Sequence, residues 1–318
     1  MNEIGSNAQK RWILENLGQA DLQIEQIRTG VTGEVFTVQS SDQRWYFKSC
    51  AEVCGHEPSM TAALAGWLPG SVPDVLAIDV ARRWLLMADA GSTVRSLSEA
   101  DGDLMRWEPM LRHFAALQRG TIPHVETLLA LHVSDRRLDQ LPTLYQNLIG
   151  QVSFLMIGEE NGISEGDFER LRAYTPSLAS LCEQLAHYPL PQTLHHDDFH
   201  AGNVALKGHQ YCFFDWGECC ITHPFFSLMI MLRYAKLLFK ADEATLNRLR
   251  DVYLECWLDY APMAQLLEMV TITHQLAALC RAVTWQQIVA SADERFRVDI
   301  EDAVPYWLLT FLNNTPLE

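Results

Sequence analysis

The sequence predicts an α+β chain in which a small, antiparallel, β-rich lobe (residues 1–90) precedes a large, mostly helical lobe (residues 91–318). Three observations predict it. Strand signals dominate the first 90 residues, with one helix inserted among them. Beyond Gly91 the apolar positions recur at helical spacing, interrupted by one hairpin. The chain has 318 residues, 48% of them hydrophobic, which suits two structural units and supplies a buried core.

Taken in order, Trp12–Leu17 reads as a helix closed by Gly18. Ile24–Arg28 and Glu34–Gln39 read as strands joined by Thr29-Gly30-Val31-Thr32-Gly33, and Trp45–Ser49 as a third strand after a polar turn. Met60, Ala63, Leu64, Trp67 and Leu68 recur at three and four, so Pro58–Leu68 is a helix, ended by Pro69-Gly70. Val75–Val80 and Trp84–Met87 are two short strands around Ala81-Arg82-Arg83. The joint between the lobes falls at Met87-Ala88-Asp89-Ala90-Gly91. Helical periodicity then marks Leu104–Leu117, Val125–Leu131, Leu138–Ile149, Phe168–Tyr174, Leu178–Ala186, Phe226–Phe239, Ala244–Trp257, Met263–Ala290 and Ile300–Leu312. The hairpin comprises Asn203–Leu206 and Tyr211–Phe214.

The chain carries 24 Lys+Arg against 40 Asp+Glu, a formal net charge of −16. That balance, with no basic run anywhere, argues against a nucleic-acid partner. The longest apolar window, near Phe225–Leu238, contains Arg233 and Lys236, so no membrane span or membrane partner is expected. Met1 to Arg11 is polar and has no core of signal-peptide type. Eight cysteines without regular spacing form no disulfide framework and are expected to be reduced and mostly buried. Together these readings suggest a cytoplasmic protein; nothing in the sequence speaks to oligomeric state.

The densest polar cluster is His195-His196-Asp197-Asp198-Phe199-His200, followed by Ala201-Gly202-Asn203, the hairpin, and Phe213-Phe214-Asp215-Trp216-Gly217-Glu218. A hairpin folds back on itself, so Asp215 leaving it is expected to return near Asn203, with Asp198 on the same rim. Two carboxylates and a carboxamide around one space suit Mg²⁺, which binds through one or two carboxylates plus substrate phosphates. A carboxylate not committed to metal can accept a proton from a hydroxyl. This is the apparatus of phosphoryl transfer.

The spacing His-x-Asp-x-x-x-x-Asn, with a Phe-Asp pair ending 12 residues later, resembles the protein-kinase-like fold. The segment His196–Asn203 resembles more particularly the His-Gly-Asp-(Leu/Phe)-His-x-Gly-Asn motif of the aminoglycoside phosphotransferase and choline kinase-like family, and Phe214-Asp215-Trp216 matches its Ile-Asp-Trp. The likeness covers most of residues 25–235, reaching back to Lys48 in Tyr46-Phe47-Lys48. It implies an ATP-dependent, Mg²⁺-assisted kinase of a small-molecule hydroxyl acceptor. In that role Asp198 is the catalytic base, and Asn203 and Asp215 hold the metal. Lys48 contacts the nucleotide phosphates with Glu57 as its partner, the Gly30-to-Gly33 turn lies over the phosphates, and backbone groups of Met87, Ala88 and Ala90 bracket the adenine.

The chain departs from the family pattern at three places. Asp197 stands where the family usually has Gly, His223 where it has Asp, and Ser227 where a second Asp commonly braces the catalytic loop. His195 and Asp197 read as loop surface and His196 as a structural residue. Pro58 puts Glu57 at a helix start rather than mid-helix. Two other functions stay open: a degenerate member of the same fold that binds nucleotide without turnover, motivated by His223 and Ser227, and a metal-dependent hydrolase using His196 and His200. The stretch Gly158–Glu169 carries five acids, among them Glu159, Glu160 and Glu165. It reads either as a solvated loop before a helix capped near Ser164 or as an acidic flap for a cationic or amino-bearing acceptor.

Overall fold

The computed structural model describes residues 7–19 and 21–314. Part of the polar stretch Met1–Arg11 therefore lies outside the described residues. In chain order the elements begin with α1 (Asn7–Leu17), β1 (Gln23–Gly30), β2 (Gly33–Gln39), β3 (Arg44–Cys50), α2 (Glu57–Trp67), β4 (Val75–Asp79), β5 (Trp84–Ala88) and β6 (Ser92–Thr93). There follow α3 (Val94–Asp101), α4 (Trp107–Thr121), α5 (Val125–Ala130), β7 (Ser134–Asp135), α6 (Leu141–Gly150), α7 (Glu165–Ala186) and β8 (Thr193–His195). The rest are β9 (Val204–Lys207), β10 (Gln210–Phe213), β11 (Cys220–Thr222), α8 (Ser227–Phe239), α9 (Glu243–Glu255), α10 (Met263–Ser291), α11 (Glu294–Arg297) and α12 (Ala303–Asn313).

The fold is α+β and protein-kinase-like, with an antiparallel N-terminal sheet and a mostly helical C-terminal part. The chain divides into two compact units. One holds the residues up to Thr93 together with Val204–Gly217, the other Val94–Asn203 together with the residues from Glu218 on. The expected joint at residue 90 thus lies three residues further on, and the hairpin β9–β10 belongs with the first unit. The reason is β6, which pairs with β9 (Ser92↔Leu206, Thr93↔Ala205) and ties the hairpin into that unit.

In the first unit five strands pair in the order β1-β2-β3-β5-β4, every neighbour antiparallel. Alternation along β3 sends Trp45 and Phe47 to one face and Tyr46, Lys48 and Cys50 to the other. On the first face Phe36, Val38, Trp45, Phe47, Trp84 and Leu86 form a core that α1 covers with Ile13, Trp12 and Leu17. Each such large apolar side chain contributes about 1.5–3 kcal/mol on burial. The second face is where the chemistry sits.

The second unit is helical around a small sheet, β7-β11-β8, that sequence periodicity did not reveal because its strands are only two or three residues long. The helix α3 was likewise unpredicted. Phe168–Tyr174 and Leu178–Ala186 prove to be one helix, α7, with Pro176 inside it. Pro176 has no N–H for the Arg172 carbonyl, and the Thr175 hydroxyl donates to that oxygen instead (3.4 Å). Ser164 caps this helix by accepting from the Asp167 N–H, as the sequence suggested. The longest apolar helix is α10 rather than Phe225–Leu238. It is long and apolar enough to cross a membrane, yet most of its apolar stretch is buried inside the protein. All eight cysteines are free, and all but Cys256 are buried.

Candidate active site

Within the first unit, Lys48 lies between two carboxylates. Its central position on β3, paired to Val35 of β2 and Leu85 of β5, fixes its backbone on both sides. The ammonium is 5% exposed and meets Glu57 (2.6 Å to Oε2, 2.8 Å to Oε1) and Asp215 (2.5 Å to Oδ1). The start of α2 at Glu57 does not prevent the Lys48 pairing: the first helical turn lies under β3. Glu57 is wholly buried and also accepts from the Trp216 N–H (3.1 Å) and from the Cys50 thiol (3.5 Å). Burial alone would lower the Lys48 pKa, but Asp215 and Glu57 outweigh it and hold the ammonium well above its ordinary value. Burial raises the Glu57 carboxyl, with Lys48 opposing.

Asp215 has a left-handed backbone (φ 66°), a strained conformation for a residue other than Gly, Asn or Asp and one that clusters at functional sites. Its Oδ2 accepts from Arg28 of β1 (3.3 Å), a half-exposed and therefore weak ion pair. Gly217 admits no side chain: a Cβ there would lie 2.8 Å from Cys54 Sγ and 3.0 Å from Glu57 Oε2. This is the physical content of Asp-Trp-Gly in this chain. The Gly30-to-Gly33 segment is a tight hairpin turn in which Gly30 pairs with Gly33. Gly33 (φ 129°) comes so close to the Ser49 carbonyl that a Cβ would lie 2.2 Å from it. Met87, Ala88 and Ala90 are half-buried at the end of β5. The Ala88 N–H donates to Asp74 O (2.9 Å) and the Asp89 N–H to Arg44 O (3.2 Å), so these two donors are spent on strand pairing.

Within the second unit, the loop after β8 carries Asp198 and Asn203. Phe199 anchors the loop by stacking on Phe114 of α4 (ring centroids 3.9 Å apart). Three donors hold the Asp198 carboxylate. Asn203 Nδ2 donates to Oδ2 (3.1 Å) and to the Asp198 carbonyl (3.0 Å), Arg281 Nη2 donates to Oδ1 (3.0 Å), and His200 Nε2 lies 3.3 Å from Oδ2. The Gly202 N–H donates to His200 Nδ1 (2.9 Å), which leaves Nε2 as the ring atom that donates to Asp198. A Cβ on Gly202 would lie 2.7 Å from the His200 ring, so the glycine of the motif makes room for the histidine. His200 also stacks on Tyr234 of α8 at 4.5 Å. Burial would raise the Asp198 pKa, but Arg281 and the flanking histidines drive it far below the usual carboxylate range. With its N–H₂ group committed, the atom of Asn203 that could serve a hard cation is its carboxamide oxygen.

His195 and Asp197, expected at the surface, are each 1% exposed. Polar character in a loop suggested solvent, but the partners come from afar. Asp197 Oδ1 accepts from His195 Nε2 (2.9 Å), and Oδ2 accepts from Thr284 and lies 3.7 Å from Arg136 and 3.5 Å from Arg281. Ser227 spends its hydroxyl on His195 Nδ1 (2.7 Å). His223 caps the turn Pro224–Phe226 by accepting from the Phe225 N–H (3.2 Å). His196 is buried beside Phe199. Among the described residues, the potential metal ligands that converge in a group of three are His195, Cys220 and Cys280, not His196 and His200. The guanidinium of Arg136, 3.6 Å from Cys280 Sγ, disfavours a cation there. Arg281 escaped the sequence reading because it lies 83 residues beyond Asp198. The available signal was an arginine on an otherwise apolar, core-facing stretch of α10.

The phosphotransferase enzyme family model matches residues 6–266, and the chain belongs to that family. Solved structures with the same fold include an ethanolamine kinase from Plasmodium vivax (11% identity, TM-score 0.61, covering 95% of this chain and 84% of that one). The choline kinase LicA from Streptococcus pneumoniae is similar at 12% identity and TM-score 0.60, over 96% of this chain and 100% of that one. The amicoumacin kinase hAmiN, in complex with AMP-PNP, Ca²⁺ and its substrate, is similar at 12% identity and TM-score 0.58, over 97% of this chain and 94% of that one. No curated protein matches the chain in sequence.

Proposed function

We propose that this protein transfers the γ-phosphoryl group of ATP to a hydroxyl of a small molecule, with Asp198 as the residue that orients that hydroxyl and takes its proton. The observation that carries the reading is the Asp198 carboxylate, ionised and aimed by Asn203, His200 and Arg281. So acidic a carboxylate is a poor ground-state base. It acts as a hydrogen-bond acceptor that points the hydroxyl at phosphorus and receives its proton late, as the oxygen gains positive charge.

In this reading Lys48, held by Glu57, steadies the α- and β-phosphates. The turn from Gly30 to Gly33 covers them, and the backbone between Met87 and Ala90 brackets the base, with Ala90 the better-placed donor because the Ala88 N–H is spent. Asp215 and the Asn203 carboxamide oxygen would hold Mg²⁺, which when bound neutralises phosphate charge. AMP-PNP and a divalent cation in the amicoumacin kinase complex support this choice of cofactors. Glu159, Glu160 and Glu165 are exposed, and no ion pair engages them among the described residues, so they are free to attract a cationic or amino-bearing acceptor.

The test is ADP release from Mg·ATP across a panel of hydroxyl acceptors such as choline, ethanolamine, homoserine and aminoglycosides. Acceptor-dependent release that is lost in Asp198→Asn supports the reading. Full activity in Asp198→Asn removes Asp198 from its role, and ATP binding without turnover by any acceptor points to a degenerate kinase.

A further inference from the structure

Behind the catalytic loop lies a buried charged network that the reaction itself does not use. Arg281 of α10 is 6% exposed. Its Nη1 donates to the Asp197 carbonyl (3.1 Å) and to Glu218, and its Nη2 donates to Asp198 Oδ1 (3.0 Å). One planar guanidinium therefore spans the backbone of one residue and the side chain of the next. That fixes both the loop and the torsion of the Asp198 carboxylate. Its stem packs against Trp285, with the guanidinium 5.4 Å from the ring centroid.

The guanidinium is itself held. The Asp197 carboxylate presents Oδ2 to both guanidiniums, 3.5 Å from Arg281 Nη1 and 3.7 Å from Arg136 Nη1, and Oδ1 to His195; Arg136 is tied in turn to the α10 carbonyl of Cys280 (3.1 Å). Three carboxylates (Asp197, Asp198, Glu218) face two guanidiniums (Arg136, Arg281). His195 is the further ionisable group beside them, and the Asp197 carboxylate raises its pKa although burial pulls it down. Ser227 of α8 offers only a hydroxyl, and offers it to His195. The carboxylate that braces the loop is on the loop, and the cation that receives it comes from α10.

We propose that Arg281, clamped by Asp197 and Glu218, is the positioning residue that aims the Asp198 carboxylate. This rests on the reading of Asp198 as the proton acceptor. A lysine at 281 keeps the charge but cannot span two acceptors in one plane. Misplacing a reacting group by about 1 Å costs about 10²-fold in rate.

The test compares wild type, Arg281→Lys and Asp197→Asn in the full chain, with thermal melting to confirm folding. The expected result is a kcat lower by about 10²-fold for Arg281→Lys with the KM for ATP unchanged, and a smaller loss for Asp197→Asn. Hydrogen exchange of the segment 194–203 supplies a readout that needs no turnover, and it should quicken in both variants. A kcat within twofold of wild type, or unchanged exchange in 194–203, overturns the proposal. A merely structural role would lower the melting temperature and leave kcat of the folded fraction intact, which also overturns it. If Arg281→Lys does not fold, the pair Arg281→Met with Glu218→Gln removes opposite charges together, and the same two readouts decide. A wild-type protein that releases no ADP with any acceptor refutes the functional reading instead, while the exchange data still decide whether Arg281 sets the loop.

Discussion

Lowering the pH from 7 to 4.5 should cost this protein stability through one residue, His223. The imidazole is 1% exposed, and burial pushes its pKa down to about 3 from an ordinary value of 6.5. Its Nδ1 is an acceptor for the Phe225 N–H, a bond that protonation would destroy. Because the folded value is the lower one, the unfolded chain takes up the proton first. The contribution is intact above pH 6.5 and is lost progressively down to about pH 3. At pH 4.5 the unfolded state is favoured by roughly 2–3 kcal/mol relative to pH 7, a large part of the roughly 5–15 kcal/mol that holds a domain together. The assay is urea unfolding of wild type and His223→Asn at both pH values. Asn retains a capping oxygen and does not titrate. Any loss of packing in the variant applies at both pH values and cancels, as do the other titrating groups. The loss between pH 7 and 4.5 should be smaller in His223→Asn by roughly 2–3 kcal/mol. Parallel pH curves for the two proteins would refute the argument.

Other consequences can be measured directly. Lys48→Met leaves the buried Glu57 carboxylate without its cation and Asp215 with only the exposed Arg28, so it should cost about 3–5 kcal/mol in denaturant unfolding and weaken Mg·ATP binding. Gly217→Ala pushes a methyl group against Cys54 and Glu57 and should cost about 1–3 kcal/mol, read as a lower melting temperature. Replacing Glu159, Glu160 and Glu165 together by Gln should raise the KM of a cationic acceptor at low salt and leave it unchanged at high salt, because exposed charges act at long range only where screening is weak.

The sheet of the first unit was legible because its strands are five to eight residues long, rich in β-branched and aromatic residues and bounded by turn signals. The short strands of the second unit carry no such period, and their backbone partners lie up to about 90 residues away in sequence. Pro176 reads locally as a break, yet Leu171, Leu178, Cys182 and Leu185 keep one buried stripe running through it. Lys48, Glu57, Asp198, Asn203 and Asp215 could be singled out because they lie in short segments of distinctive spacing. What surrounds Asp198 could not be read in the same way. Asp197 looked like surface because the two guanidiniums beside it, at 136 and 281, are distant in sequence.

Charge accounting links the two clusters to the proposed chemistry. Each is one positive charge short when its acids and strong bases alone are counted: Lys48 against Glu57 and Asp215, and Arg136 with Arg281 against Asp197, Asp198 and Glu218. In the second cluster the ionisable group at hand is His195, wholly buried between Asp197 and Ser227, and every partner is supplied by the fold. In the first, the charge facing the second carboxylate oxygen of Asp215 is Arg28, whose side chain is 59% exposed. An exposed ion pair of that kind is worth roughly 0–1 kcal/mol and is exchanged at little cost. The proposed function therefore places the metal-bound nucleotide at the first cluster, where an exposed arginine is all that would have to give way.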